Sequence, residues 1–117
     1  MRVEYNKTWF VVGKSAEENW KIISAAEKDY YWVHADGVAS SHVIIEIDEP
    51  LDSEIQYACQ LCKNQTKKIK DTSIKYVITQ VKNIKFGSKP GEVYFKDTSK
   101  TKTIQLQEVK FAVAIAD

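Results

Sequence analysis

Residues 30–47 read Tyr30-Tyr31-Trp32-Val33-His34-Ala35-Asp36-Gly37-Val38-Ala39-Ser40-Ser41-His42-Val43-Ile44-Ile45-Glu46-Ile47. Tyr30 to His34 and His42 to Ile47 are rich in aromatic and β-branched side chains, which fit a pleated, half-buried surface. Between them, Asp36-Gly37 and the small residues up to Ser41 mark a loop. The stretch therefore reads strand, loop, strand. The chain has two histidines, His34 and His42, and they stand at the two ends of that loop. Folding it is expected to bring both imidazoles near one point, a corner suited to recognition.

On the N-terminal side, Arg2 to Tyr5 and Thr8 to Val12 alternate polar and apolar around Asn6-Lys7, the pattern of a short hairpin. After Gly13, Ser15-Ala16-Glu17-Glu18 is a capping box that opens a helix. Trp20, Ile23 and Ala26 follow at helical spacing, and the helix is expected to end near Lys28. On the C-terminal side, Asp52 or Ser53 is expected to cap a second helix, whose Ile55, Ala58, Cys59 and Cys62 form an apolar stripe. A polar basic linker, Lys63 to Lys68, leads to a strand from Ile74 to Thr79. Lys82, Lys85 and Lys89 then occupy an irregular stretch closed by Pro90-Gly91, where proline presets φ and glycine accepts a positive one. Glu92 to Lys96 and Thr101 to Gln107 read as a hairpin across Asp97-Thr98-Ser99-Lys100. The apolar tail, Phe111 to Ala116, is expected to pack as a final strand or short helix. The expected architecture is α+β, a single domain over 1–117, with a mixed, mostly antiparallel sheet of about six to eight strands and two principal helices.

The 117 residues carry a net charge of only +1, but the distribution is uneven. Residues 1–62 hold 5 basic and 11 acidic side chains, whereas residues 63–102 hold 11 lysines against Asp71, Glu92 and Asp97. Such asymmetry hints at an electrostatic footprint, the plainer reading being lysines dispersed over a solvated surface. No apolar stretch approaches the roughly 20 residues that span a bilayer, and the N-terminus lacks the apolar core of a signal peptide. A cytoplasmic protein with no membrane partner is expected. Cys59 and Cys62 form one C-x-x-C in mid-helix. Zinc would want a second ligand pair, and His34 with His42 supplies one only in an order and spacing of no known finger. A redox pair would sit at a helix start. Buried structural cysteines are the favoured reading, with no metal and no cofactor.

Four blocks resemble, in order and spacing, the NFACT-R domain family, a C-terminal or standalone module of proteins in ribosome-associated quality control. They are Val11 to Asn19, Trp32-Val33-His34-Ala35, Ser40-Ser41-His42-Val43-Ile44-Ile45, and Lys82 to Tyr94 with Lys89-Pro90-Gly91. The resemblance covers about Thr8 to Gln107. Ser40 stands where the family has glycine, and Tyr30 where it has aspartate. The family's N-terminal module, helix-hairpin-helix region and coiled coils have no counterpart in this sequence, which is expected to be a standalone form. The resemblance implies a non-catalytic domain that binds RNA, either tRNA or ribosomal RNA, with the large ribosomal subunit as a further partner. Lys14, Lys82, Lys85 and Lys89 would then neutralise phosphates, and Lys14 lies at a helix start where free amides also attract them. Trp32, His34 and His42 would stack on unpaired bases or donate hydrogen bonds, with Ser41 a small donor beside them. Core is the favoured reading of Trp32 over contact. Two alternatives remain: a protein-interaction adaptor with a basic face for ribosomal or acidic partners, and a small histidine-dependent nuclease using Asp36, Ser40 or Ser41. The chain has no G-x-S-x-G, Walker loop or H-E-x-x-H.

Overall fold

A computed structural model describes residues 1–66 and 74–107. Asn6 and Lys7 both adopt positive φ, 55° and 63°, the two-residue turn whose twist matches antiparallel strands. They fold β1 (Arg2–Tyr5) onto β2 (Thr8–Val12). Helix α1 (Ala16–Ala25) starts as the sequence predicts. The Ser15 hydroxyl accepts the Glu18 N–H at 3.2 Å, and the Glu18 carboxylate accepts the Lys14 N–H at 2.9 Å. The helix stops short of Lys28 because Ala26 already has extended backbone angles. Strands β3 (Tyr31–Ala35) and β4 (Val43–Ile45) flank the histidine loop.

Helix α2 (Asp52–Gln65) is capped by Leu51, not by Asp52 or Ser53. The buried Glu54 carboxylate accepts the Leu51 N–H at 2.8 Å and is also bonded by the Thr8 hydroxyl, so a partner from β2 sets the start of the helix. Lys63 to Gln65 are its last turn rather than linker. Thr66 follows as the C-cap, and Lys67, Lys68 and the tail beyond Gln107 lie outside the described residues. Next come β5 (Lys75–Gln80), β6 (Ile84–Phe86), β7 (Val93–Phe95) and β8 (Lys102–Gln105).

The hairpin expected between Glu92 to Lys96 and Thr101 to Gln107 does not form. β7 pairs with β6, and β8 pairs with β5. The cause is Asn83, whose side chain accepts the Asp97 N–H and donates to the Asp97 carbonyl, each at 2.9 Å. Asp97 is thereby pinned, and its carboxylate starts the short 3-10 turn Thr98–Lys100 by accepting the Ser99 N–H. The chain leaves that turn toward β5 instead of folding back on β7.

The main sheet has six antiparallel strands in the order β1-β2-β4-β3-β5-β8, with β6-β7 as a separate ribbon. Side chains alternate between its faces. Val33, Ala35, Val43 and Ile45 pack under α2 against Ala58, Cys59 and Cys62. Trp32 and Ile44 point the other way, against Ile23 of α1 and Ile84 of β6. This is an α+β domain with its sheet covered on both faces. Burial pushes the Cys62 thiol up to about 11 and raises Cys59 further, so both are inert core groups. Among the described residues no helix is long and apolar enough to cross a membrane.

Candidate nucleic-acid interface

The β3–β4 register pairs Trp32 with Ile44 and Val33 with Val43. One step further along, His34 faces His42 on the same side as Trp32. Their ring centroids are 4.7 Å apart and nearly perpendicular. Trp32 lies parallel to His34 at 5.5 Å and edge-on to His42 at 5.4 Å, and Phe95 of β7 meets Trp32 edge-on at 5.7 Å. These rings floor a cleft of about 770 Å³. Its walls are the 36–41 loop, the start of α1 with Lys14 and Asn19, the Pro90-Gly91-Glu92 turn, and Gln65-Thr66 at the end of α2.

Hydrogen bonds hold the corner from three sides. The Ser40 hydroxyl accepts the Ala35 N–H at 3.0 Å, closing the loop on itself. The Ser41 N–H donates to the Thr66 hydroxyl at 3.0 Å, and that hydroxyl donates to the Cys62 carbonyl at 2.7 Å, tying the loop to α2. On the other side the His42 N–H donates to Asn19 Oδ1 at 3.2 Å, and the Gly13 N–H donates to the His42 carbonyl at 3.0 Å. A Cβ at Gly13 would stand 2.0 Å from Asn19 Oδ1, so the clamp requires glycine there. Gly91, at φ +84°, rests against the Ala16 backbone and sets the opposite wall.

These contacts also fix where each imidazole carries its proton. An indole N–H can only donate. Trp32 Nε1 donates to His42 Nδ1 at 3.0 Å, so that nitrogen holds a lone pair and the proton sits on Nε2. His34 has the opposite tautomer, its Nδ1–H donating to the Ala35 carbonyl at 2.6 Å. Burial, and then the neighbouring His34, bring the His42 pKa down to about 3. Burial also lowers His34, against the opposing pull of the Ala35 bond and of Asp36. At neutral pH the pair is uncharged.

Lys14, Trp32, His34, Ser41 and His42 thus come together at the cleft. Their roles differ from the sequence reading in one respect. Trp32 and His42 are each only 2% exposed and Ser41 is buried, so neither ring offers a free face for stacking. Trp32 is core that orients His42. The lysines separate. Lys89 lies at the turn leading to Pro90 and helps hold the Glu92 carboxyl below its ordinary range, after the Ser88 and Tyr94 hydrogen bonds. Lys85 pairs across the ribbon with Tyr94, on the face opposite the cleft-lining Val93 and Phe95. Lys82 is elsewhere, paired with Asp29 at 3.0 Å beside a second groove that also holds Lys96, Lys100 and Lys102. Among the described residues, Lys82, Lys96, Lys100 and Lys102 of the basic half therefore lie away from the histidines. Sequence reasoning missed Gly13, Asn19 and Phe95 at the site, and Tyr94, which is 56% exposed beside Lys85. Among the described residues no three His, Cys, Asp or Glu side chains are grouped to hold a metal ion.

The sequence pattern of the NFACT protein RNA binding domain matches residues 2–97. The chain belongs to the NFACT RNA-binding domain family. The match takes in both histidines and the Pro90-Gly91 turn and stops at Asp97, before β8. RNA is accordingly the ligand class that membership of this NFACT domain family supports. Among solved structures, the C-terminal part of the fibronectin/fibrinogen-binding protein from Streptococcus suis is similar, with a TM-score of 0.78 and 26% identity. The likeness covers 96% of this chain and 47% of that one, so the chain spans about half of that structure's length. No curated protein matches the sequence.

Proposed function

We propose that this NFACT domain is a non-catalytic module that binds tRNA or ribosomal RNA in the cytoplasm, in translation or ribosome-associated quality control, with the large ribosomal subunit as its platform. The observation that carries the reading is the open cleft with two uncharged imidazoles on its floor and Lys14 and Lys89 close to its walls. Lysines contribute affinity by releasing counterions from phosphates, and this contribution falls steeply with salt. Lys85 and Tyr94 add an ammonium and a flat ring on the adjoining ribbon. The test is a fluorescence anisotropy titration of the full chain against tRNA, single-stranded RNA and duplex DNA at two salt concentrations. RNA binding that weakens log-linearly with salt and is competed by bulk tRNA supports the proposal. Affinity for none of the RNAs overturns it.

A second reading, an adaptor for acidic or ribosomal proteins, is favoured by the name of the Streptococcus suis neighbour, which is a fibronectin/fibrinogen-binding protein. A largely apolar protein interface is less salt-sensitive than phosphate contacts and is not displaced by tRNA.

A further inference from the structure

We infer that the His34–His42 cleft seats one unpaired nucleobase, read through its hydrogen-bonding edge, while the phosphates stay outside on the lysines. The inference rests on the RNA-binding reading and deepens it. His42 Nδ1 is occupied by Trp32, and Nε2–H has no hydrogen-bond partner among the described residues. Among the described residues the one fully sealed and unpaired side-chain polar atom is the Tyr76 hydroxyl, so His42 Nε2–H is reached from the cleft that His42 lines. Asn19 repeats the arrangement. It is 7% exposed, its Oδ1 is taken by the His42 N–H, and its Nδ2 amide is left for the cleft. His34 Nε2 contributes a lone pair beside them.

The floor therefore presents two donors and one acceptor, all uncharged. A phosphate offers acceptors only, would oppose the His34 lone pair, and would enter a cleft whose charged lining is Lys14 against Asp36 and Glu92. A nucleobase edge carries neighbouring donors and acceptors with no charge, which is the complement of this floor. In a duplex that edge is already paired, so the occupant is a looped-out or single-stranded nucleotide.

The experiment uses the full chain and a fluorescent ten-nucleotide single-stranded RNA in which each base in turn is replaced by an abasic site. Removing the seated base should weaken binding by about tenfold or more at some positions while others change little, and annealing the complement should weaken it as much. Asn19→Asp keeps the acceptor for the His42 N–H but removes the cleft-facing donor. It should flatten the position dependence while circular dichroism stays unchanged. If Asn19→Asp fails to fold, His34→Ala, at a half-buried ring, takes its place. RNA binding with a flat abasic scan, or equal affinity for the duplex, overturns the inference and leaves the RNA-binding proposal standing. No binding to any RNA overturns both.

Discussion

Lowering the pH from 7 to 5 should destabilise the fold through its histidines. His42 in the unfolded chain takes up a proton as pH falls through 6.5, whereas the folded residue stays neutral until about 3. Below 6.5 the unfolded state therefore binds more protons, so the stability present at higher pH is lost progressively as pH falls toward 3. Each pH unit inside that window is worth about 1.4 kcal/mol per group, so His42 alone should remove about 2 kcal/mol at pH 5. His34, also lowered, acts in the same direction. Glu92 and Asp97 are lowered too, from ordinary values of 4.5 and 3.8, but their contributions are lost only as pH falls through still lower values. The interval from 7 to 5 thus isolates the imidazoles. Urea unfolding followed by circular dichroism should show a midpoint lower at pH 5 by about 1 M, given a slope of about 1–3 kcal/mol/M for small proteins. Identical midpoints at the two pH values would refute the reasoning, as would a His42→Gln variant that keeps the whole pH dependence.

Gly13→Ala drives a methyl group into Asn19 Oδ1 and breaks its bond to His42, and should cost about 1–3 kcal/mol in the same unfolding assay. A variant as stable as the parent would remove Gly13 from the clamp. Lys85→Glu combined with Lys89→Glu should weaken tRNA binding, reduce the salt slope by about 2 and leave the fold intact, because both side chains are solvated. Unchanged affinity would count against that basic surface. Lys82→Ala should alter stability by less than about 1 kcal/mol, since its bond to Asp29 is an exposed ion pair. A larger loss in chemical unfolding would show that the pair matters to the fold.

The elements that form the corner are legible in the sequence because each is governed locally. Asn6-Lys7 dictates a tight hairpin, Ser15 caps its own helix, and alternation through Trp32-Val33-His34 and His42-Val43-Ile44 predicts which side chains share a face. What was not legible depends on distant partners. Leu51 replaces Asp52 as the cap because Glu54 is held by Thr8 from another strand. The β6-β7 ribbon is set by the side chain of Asn83 reaching Asp97, which leaves no periodic trace. Lys85 and Lys82 diverge because a strand of three residues is too short for its alternation to be read. The burial of His42 also escapes sequence patterning, since an imidazole on an alternating strand looks the same whether or not α1 and β7 cover it.

The most direct test of the central claim, that RNA is received over the uncharged His34–His42 pair, is a nuclear magnetic resonance titration of the chain with ¹⁵N-labelled histidines. At pH 7 without RNA, the spectrum should show two neutral rings of opposite tautomer, His42 protonated on Nε2 and His34 on Nδ1. Addition of single-stranded RNA should shift the ring signals of both, saturating at the concentration where anisotropy saturates. RNA that binds by anisotropy while both sets of ring signals stay in place would contradict the account.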